Sequence, residues 1–298
     1  MATLSSETSV PAAAGPNRRT TWFFFRRPVL PGFGLSFGFS LFYLSLIVLL
    51  PICGLLIYVS DMSGAQYWRA ISHPRVLASY QVTVSAAFYS TVLATVIGFL
   101  VAWITSRYVF WGRRLIDALV DIPFALPTSV AGITLATLLV PNGWFGPILD
   151  FFGWKVAYAY PGIVVAMTFT SLPFVVRIVQ PVMEELGTEY EEVAQTLGAR
   201  PLQIFWKVIV PPLIPATVTG ASQAFIRSLG EFGAVIMIAG NIPFKTEVTS
   251  LMIFVRAEEA NYAAGAAIAS VVLLASLLLL FVLQVVQGRL LGWQRQRS

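Results

Sequence analysis

The sequence predicts an all-α, polytopic membrane protein with six transmembrane helices, and three observations carry that prediction. Of 298 residues, 57% are hydrophobic and only 11% charged, too little polar surface to cover a soluble globule of this size. Six apolar runs are long enough to cross about 30 Å of hydrocarbon, which takes roughly 20 helical residues. Lys and Arg are divided unevenly between the loops, as they are when charge sets topology. Each span is helical by necessity, because an isolated crossing segment must satisfy its own backbone hydrogen bonds.

Residues 1–31 are rich in Ser, Thr, Ala and Pro and read as a disordered cytoplasmic tail. A cleaved signal peptide is not expected, because the first apolar run is long and no small-residue cleavage site follows it. The transmembrane domain is expected over 32–290, with 291–298 a short C-terminal tail. Its first span, Leu35–Val59, follows Gly34, carries Gly38 and Pro51 and has little polarity, which suits a peripheral helix facing lipid. The second, Val82–Ile104, is studded with Thr83, Ser85, Ser90, Thr91 and Thr95 among alanines. Small side chains let helices approach closely, so this span is expected inside the bundle, where its hydroxyls serve packing or a substrate path.

The third span, Ala118–Val140, follows Asp117, which lies within reach of Arg113 and Arg114 for an ion pair. Pro127 precedes Thr128, Ser129, Ala131 and Gly132, and carbonyls freed by the proline together with these hydroxyls suit a cavity wall. The fourth, Gly162–Gln180, contains Pro173, expected to bend it, and Arg177, expected at the cytoplasmic interface. The fifth, Leu213–Ala239, holds Arg227 and Glu231 four residues apart on one helix face, with Ser228, Gly230 and Gly233 beside them. Ionisable groups at membrane depth cost about 2.5–3.5 kcal/mol each and face protein or water. The pair is therefore either an internal ion pair that pins the helix or an anion site in which Glu231 holds Arg227 in place. The sixth span is Gly265–Val286.

Between the fourth and fifth spans, residues 184–213 hold five of the fourteen carboxylates. Thr188 and Glu191 have capping-box spacing, so a helix starts near Glu189. Tyr190, Val193, Ala194 and Leu197 gather on one face of it. Gly198 suits a left-handed helix end and Pro201 the first turn of a second helix, which is expected to stop at Pro211-Pro212. Such a helix, glycine turn and helix fits a solvated connector, an interfacial element or a knob that docks into another protein.

The wording of this segment, Glu192-Val193-Ala194, Leu197-Gly198-Ala199 and Ile209-Val210-Pro211, resembles the EAA loop of bacterial ABC importer permeases. It departs from the usual motif at Val193, where the middle alanine stands. The resemblance implies a MetI-like type I permease fold, with Glu191, Glu192, Ala194, Leu197, Gly198, Ala199 and Pro211 in coupling helices that seat in a groove of an ATPase. Ser228-Leu229-Gly230-Glu231-Phe232-Gly233-Ala234 and Ile238-Ala239-Gly240-Asn241-Ile242-Pro243 are similar to the sulfate, thiosulfate and molybdate branch. The run Phe244 to Phe254 is similar to its sulfate/thiosulfate T or U type of subunit, and the likeness extends from Ser36 to Gly288. It implies a helix over Thr246–Glu259 near the outer mouth, capped by Thr246. The partners it implies are two ATP-binding subunits, a homologous second permease of W type, a periplasmic sulfate- or thiosulfate-binding protein, and the lipid of a bacterial inner membrane. Thr128, Ser129, Arg227, Ser228, Gly230 and Glu231 are the candidate lining of the substrate path.

With both termini in the cytoplasm, thirteen Lys and Arg fall on the inner side and five on the outer. The net charge of +5 is then mostly a topological signal, and no nucleic-acid partner is expected. Cys53 is the single cysteine and His73 the single histidine, so neither a disulfide framework nor a metal centre is expected. No phosphate-binding loop, cofactor motif or nucleophile elbow occurs, so no catalytic residue is assigned and ATP hydrolysis would fall to another chain. Rival readings are a molybdate or tungstate permease, a stand-alone transporter or channel, and a membrane enzyme, the last wanting more ionisable groups at membrane depth than Glu231.

Overall fold

The computed structural model describes residues 33–295. The expected N-terminal tail lies outside these residues. By its contacts the chain divides after Ile52, and the first described helix up to that point is taken by itself. This helix, α1 (Phe33–Ser60), has no buried residue, and its leucines and phenylalanines are exposed along its length.

The remaining elements are α2 (Gly64–Ile71), α3 (Pro74–Arg107), α4 (Arg113–Ala125), α5 (Thr128–Leu139), α6 (Gly146–Phe151), α7 (Tyr160–Glu185), α8 (Glu189–Thr196), α9 (Pro201–Ile204), α10 (Val210–Leu229), α11 (Gly233–Ile238), α12 (Thr249–Glu258) and α13 (Tyr262–Arg295). Among the described residues five helical stretches are long and apolar enough to cross a membrane, six when the bent pair α4 and α5 is counted as one span. The last helix runs past the expected end of the sixth span at Val286, as no proline interrupts it. Central to the packing is α7, against which α3 and α10 both lie while also packing on each other. Ser79, Thr83, Ala86, Ala87, Ser90, Ala94, Gly98, Ala102 and Thr105 form a buried stripe on α3 at intervals of three or four residues. Fully buried Val175 of α7 shows how close the approach is. A Cβ on Gly98 of α3 would lie 2.9 Å from its side chain, and one on Gly220 of α10 would lie 3.1 Å from its Cα. Lipid offers no hydrophobic drive to bring helices together, so such close packing is what holds them.

Two apolar clusters stack along this core. Val82, Ala86 and Ala87 of α3 meet Ile163 and Met167 of α7 and Ala234, Val235 and Ile238 of α11 in the first. Ala94 and Ala102 of α3 meet Val175, Val179 and Met183 of α7 and Leu213 of α10 in the second.

Two of the expected spans are interrupted. The third bends by 116° between α4 and α5 at Leu126-Pro127. Leu126 is extended there, the conformation forced on a residue before proline. The fifth ends at Leu229, leaves Gly230 to Phe232 outside any helix, and resumes as the short α11. The helix after Pro201 does not stop at Pro211-Pro212. It passes through a π-helical turn, Phe205–Ile209, into α10, and this widened turn stands directly before the two prolines, which have no N–H to continue an α-helical ladder. The helix expected over Thr246–Glu259 begins at Thr249. Thr246 does not cap it; its hydroxyl accepts from the Ile242 N–H at 2.8 Å and closes the preceding turn.

Candidate functional site

The polar island forms the expected helix, turn and helix, with one local difference. Helix α8 starts at Glu189, yet the capping box is absent. The Thr188 hydroxyl donates to Glu192 at 2.9 Å, and Glu191 lies 2.8 Å from the Arg107 Nε at the end of α3. A partner across the fold has displaced the local cap. At the other end Gly198 takes φ +82°, the Gly198 N–H bonds the Gln195 carbonyl at 2.9 Å, and the Ala199 N–H bonds the Ala194 carbonyl at 3.0 Å. That pair of bonds is the Schellman ending, which requires a left-handed residue and so favours glycine.

The face of α8 that carries Tyr190, Val193 and Leu197 is exposed, Leu197 at 82%, while Ala194 and Ala199 pack inward against the second apolar cluster. Glu192 and Pro211 are exposed as well. An amphipathic helix that turns its larger apolar side chains outward leaves them without a partner among the described residues.

The breaks in the third and fifth spans are packed against each other. A Cβ on Gly132 of α5 would meet the Ala234 carbonyl oxygen at 2.4 Å, and one on Gly233 would meet the Thr128 Oγ1 at 2.1 Å and the Ser129 N at 3.2 Å. Helices α5 and α11 thus cross backbone to backbone, and Thr128 and Ser129 sit on Gly233. Gly230 is in open space, with nothing nearer than 4.0 Å to a Cβ built on it.

Arg227 and Glu231 do meet, but not as neighbours on one helix. Glu231 lies beyond the end of α10 and is 1% exposed. One carboxylate oxygen accepts from the Ala234 N–H at 3.0 Å, anchoring the start of α11, and the other lies 2.7 Å from the Arg227 Nη1. That second contact is a charge contact by distance, without the alignment of a hydrogen bond. The Glu231 carbonyl accepts from the Ser250 hydroxyl at 2.9 Å, and buried Ser228 accepts from Ser90 of α3 at 3.0 Å. Glu231 therefore ties together α10, α11 and α12.

Other expected pairings are replaced. Asp117 does not pair with Arg113 or Arg114; its carboxylate accepts from Gln180 at 3.4 Å, while Arg113 reaches Glu184 at 3.2 Å. Arg177 is held by Asp121 through Nε at 2.9 Å and Nη2 at 2.5 Å. Three contacts escaped the sequence reading because their partners are remote in the chain. Besides Arg107–Glu191, Arg75 makes a two-pronged pair with Glu247, its Nε at 2.7 Å from Oε2, and Glu247 is 1% exposed. The Thr249 N–H bonds Thr83 Oγ1 at 2.8 Å. Nothing in the local sequence hinted at these partners, since Glu247 stands beside Lys245, Thr246 and Thr249 in a polar stretch.

Comparison with known proteins agrees with this architecture. The chain is 60% identical over 263 residues, 88% of its length and 95% of the relative's, to the "Sulfate transport system permease protein CysT" of Salmonella typhimurium. It is 42% identical to the protein of the same description from Synechococcus elongatus, over 85% of this chain and 91% of that one. Among solved structures, a bacterial ABC transporter involved in the import of alginate matches with a TM-score of 0.72 at 15% identity, covering 86% of this chain and 96% of that one. The inward-facing MetNI methionine ABC transporter matches with a TM-score of 0.55 at 19% identity, over 77% and 99% of the two chains. The fold is thus the MetI-like permease fold expected from the sequence. Residues 94–293 match the family described as "Binding-protein-dependent transport system inner membrane component", and the chain belongs to that family.

Proposed function

We propose that this chain is a permease subunit of an ABC importer that carries sulfate or thiosulfate across a bacterial inner membrane. The observation that carries the substrate is the 60% identity to a sulfate permease along nearly the whole of both chains. Both termini lie in the cytoplasm, as the distribution of Lys and Arg supports. The chain works with two ATP-binding subunits, a second, homologous permease and a periplasmic binding protein for the oxyanion; a related structure holds such a periplasmic protein, loaded with an alginate pentasaccharide.

ATP hydrolysis belongs to the partners, and this chain supplies the path and the lever. The exposed Tyr190, Val193 and Leu197 face of α8 suits the groove of an ATPase, with Gly198 setting the angle between α8 and α9. Transport is then a shift between outward- and inward-open states of the bundle, driven by the difference in the ATPase's grip on each. Deeper in, Arg227 is about one-third exposed while Glu231 is buried, so Glu231 orients a guanidinium whose free edge offers charge to a passing anion. Thr128, Ser129 and Ser228 sit at the adjoining breaks, and Gly230 leaves room beside them.

The reading is tested by purifying the chain from membranes, wild type and Gly198→Leu, and scoring a co-purifying ATPase together with uptake of radiolabelled sulfate in competition with thiosulfate and molybdate. A bulky residue at φ +82° strains the turn, so Gly198→Leu inserts normally but loses stimulated ATP hydrolysis. Normal transport by that variant refutes the lever, and uptake displaced by molybdate but not by thiosulfate refutes the substrate.

A further inference from the structure

We propose that α3 is the rod that carries the movement of α8 across the membrane, with Arg107–Glu191 as the joint at its inner end; this rests on the importer reading above. Arg107 is the last residue of α3, and Glu191 stands in the first turn of α8. Among the described residues theirs is the only ion pair in which both side chains are less than one-fifth exposed, 8% and 19%. The Arg113–Glu184 pair near the same loop is 34% and 46% exposed and marks the contrast.

The joint is close but incompletely bonded. Nε lies 2.8 Å from Glu191 Oε1, yet neither Nε nor Nη2 of Arg107 is aligned with a hydrogen-bond acceptor, and both are buried. A desolvated guanidinium with one charge partner depends strongly on where that partner sits. Helix α8 itself has no fully buried residue and meets the second apolar cluster through Ala194, so little apolar packing fixes it to the bundle independently. Beside the pair a cavity of about 580 Å³, lined by Leu100, Trp103, Leu202, Phe205 and Trp206, gives α8 and the following turn room to shift. Trp103 and Phe205, with ring centroids 5.0 Å apart, hold the same end of α3 against the π-helical turn.

The far end of the rod is also anchored by an ion pair, there with two hydrogen bonds. Arg75 and Arg107 are 32 positions apart on one helix, roughly 48 Å at 1.5 Å per residue. Arg75 grips Glu247, and eight residues along α3 Thr83 bonds Thr249, the first residue of α12. An ion pair at each end of a single unbroken helix thus links the α8 segment to the α12 segment, while the third and fifth spans are interrupted at mid-course.

The test uses the whole transporter in proteoliposomes with its binding protein, measuring ATPase retained, ATP hydrolysed and radiolabelled sulfate taken up. Wild type is compared with Arg107→Gln, Glu191→Gln, Arg107→Lys and the exchange R107E/E191R. The neutral variants are expected to retain the ATPase but to move roughly tenfold less sulfate per ATP hydrolysed, a loss within the usual range of coupling between sites. Arg107→Lys and the exchange should restore the ratio to within about threefold. Wild-type ratios in both neutral variants, or no recovery in either rescue variant, overturn the joint. Loss of the ATPase itself in the neutral variants also overturns it, in favour of a docking role. Absence of any ATPase from the wild type is the separate result that fails the importer reading and the joint with it. Glu191→Gln changes a partly exposed position outside the spans, so it remains informative if an Arg107 variant fails to insert.

Discussion

Replacing Gly132 by alanine tests the crossing of α5 and α11 with a single methyl group. The added Cβ would sit 2.4 Å from the Ala234 carbonyl oxygen and 2.7 Å from its Cα, whereas ordinary contact begins at 3.4 Å, so the helices must part by 3.4 − 2.4 = 1.0 Å. Both obstacles are backbone, so no rotamer change relieves the clash. Overpacking of this kind costs about 1–3 kcal/mol, and with no side chain to yield the upper end applies, about 3 kcal/mol. A gap of that size also forfeits a quarter to a half of the dispersion energy along the crossing. The matched control is Gly230→Ala, where the nearest atoms are 4.0 Å away and φ is −91°, so any L-residue fits. Both variants would be purified in detergent, their apparent melting followed by tryptophan fluorescence, and sulfate uptake measured in proteoliposomes. Gly132→Ala should melt clearly lower and lose transport, and Gly230→Ala should stay within about 0.5 kcal/mol of wild type. Parental melting and uptake by Gly132→Ala would refute the backbone-to-backbone crossing.

Arg227→Ala strands the Glu231 carboxylate, 1% exposed, without its cation and should destabilise by about 3–5 kcal/mol. The double variant R227A/E231Q should be milder than Arg227→Ala, since an amide at 231 still accepts from the Ala234 N–H; detergent melts of the three proteins check the order. Arg75→Ala should likewise expose Glu247 to an unpaired burial and speed hydrogen exchange across Thr249–Glu258 relative to α7. Arg256→Ala breaks a more exposed pair with Glu259, 46% exposed, and should change the melt by less than about 1 kcal/mol.

Much of this protein is determined by composition and local spacing. Apolar length alone placed the spans, because bilayer thickness and backbone satisfaction leave few other solutions. The small-residue stripe of α3 marked it as an interior helix, and the left-handed turn at Gly198 followed from the one residue type that adopts it freely. The pairing of Arg227 with Glu231 was also legible, since a buried acid at membrane depth demands a cation nearby.

Tertiary structure decided the rest. A straight span and a broken one have the same hydropathy, so the glycines at 230 and 233 did not by themselves reveal the interruption at Gly230 to Phe232; it exists because Glu231 anchors α11 and α11 packs on α5. Thr188 and Glu191 have the spacing of a capping box, yet Glu191 turns to Arg107, 191 − 107 = 84 positions away, because a desolvated guanidinium holds a carboxylate more strongly than a backbone N–H does. Arg75 finds Glu247 across 172 positions because the carboxylate, 1% exposed, needs a cation where it is buried. Local spacing sets what a segment is able to form, but desolvation, which depends on what lies across the fold, selects which charges pair and where helices break.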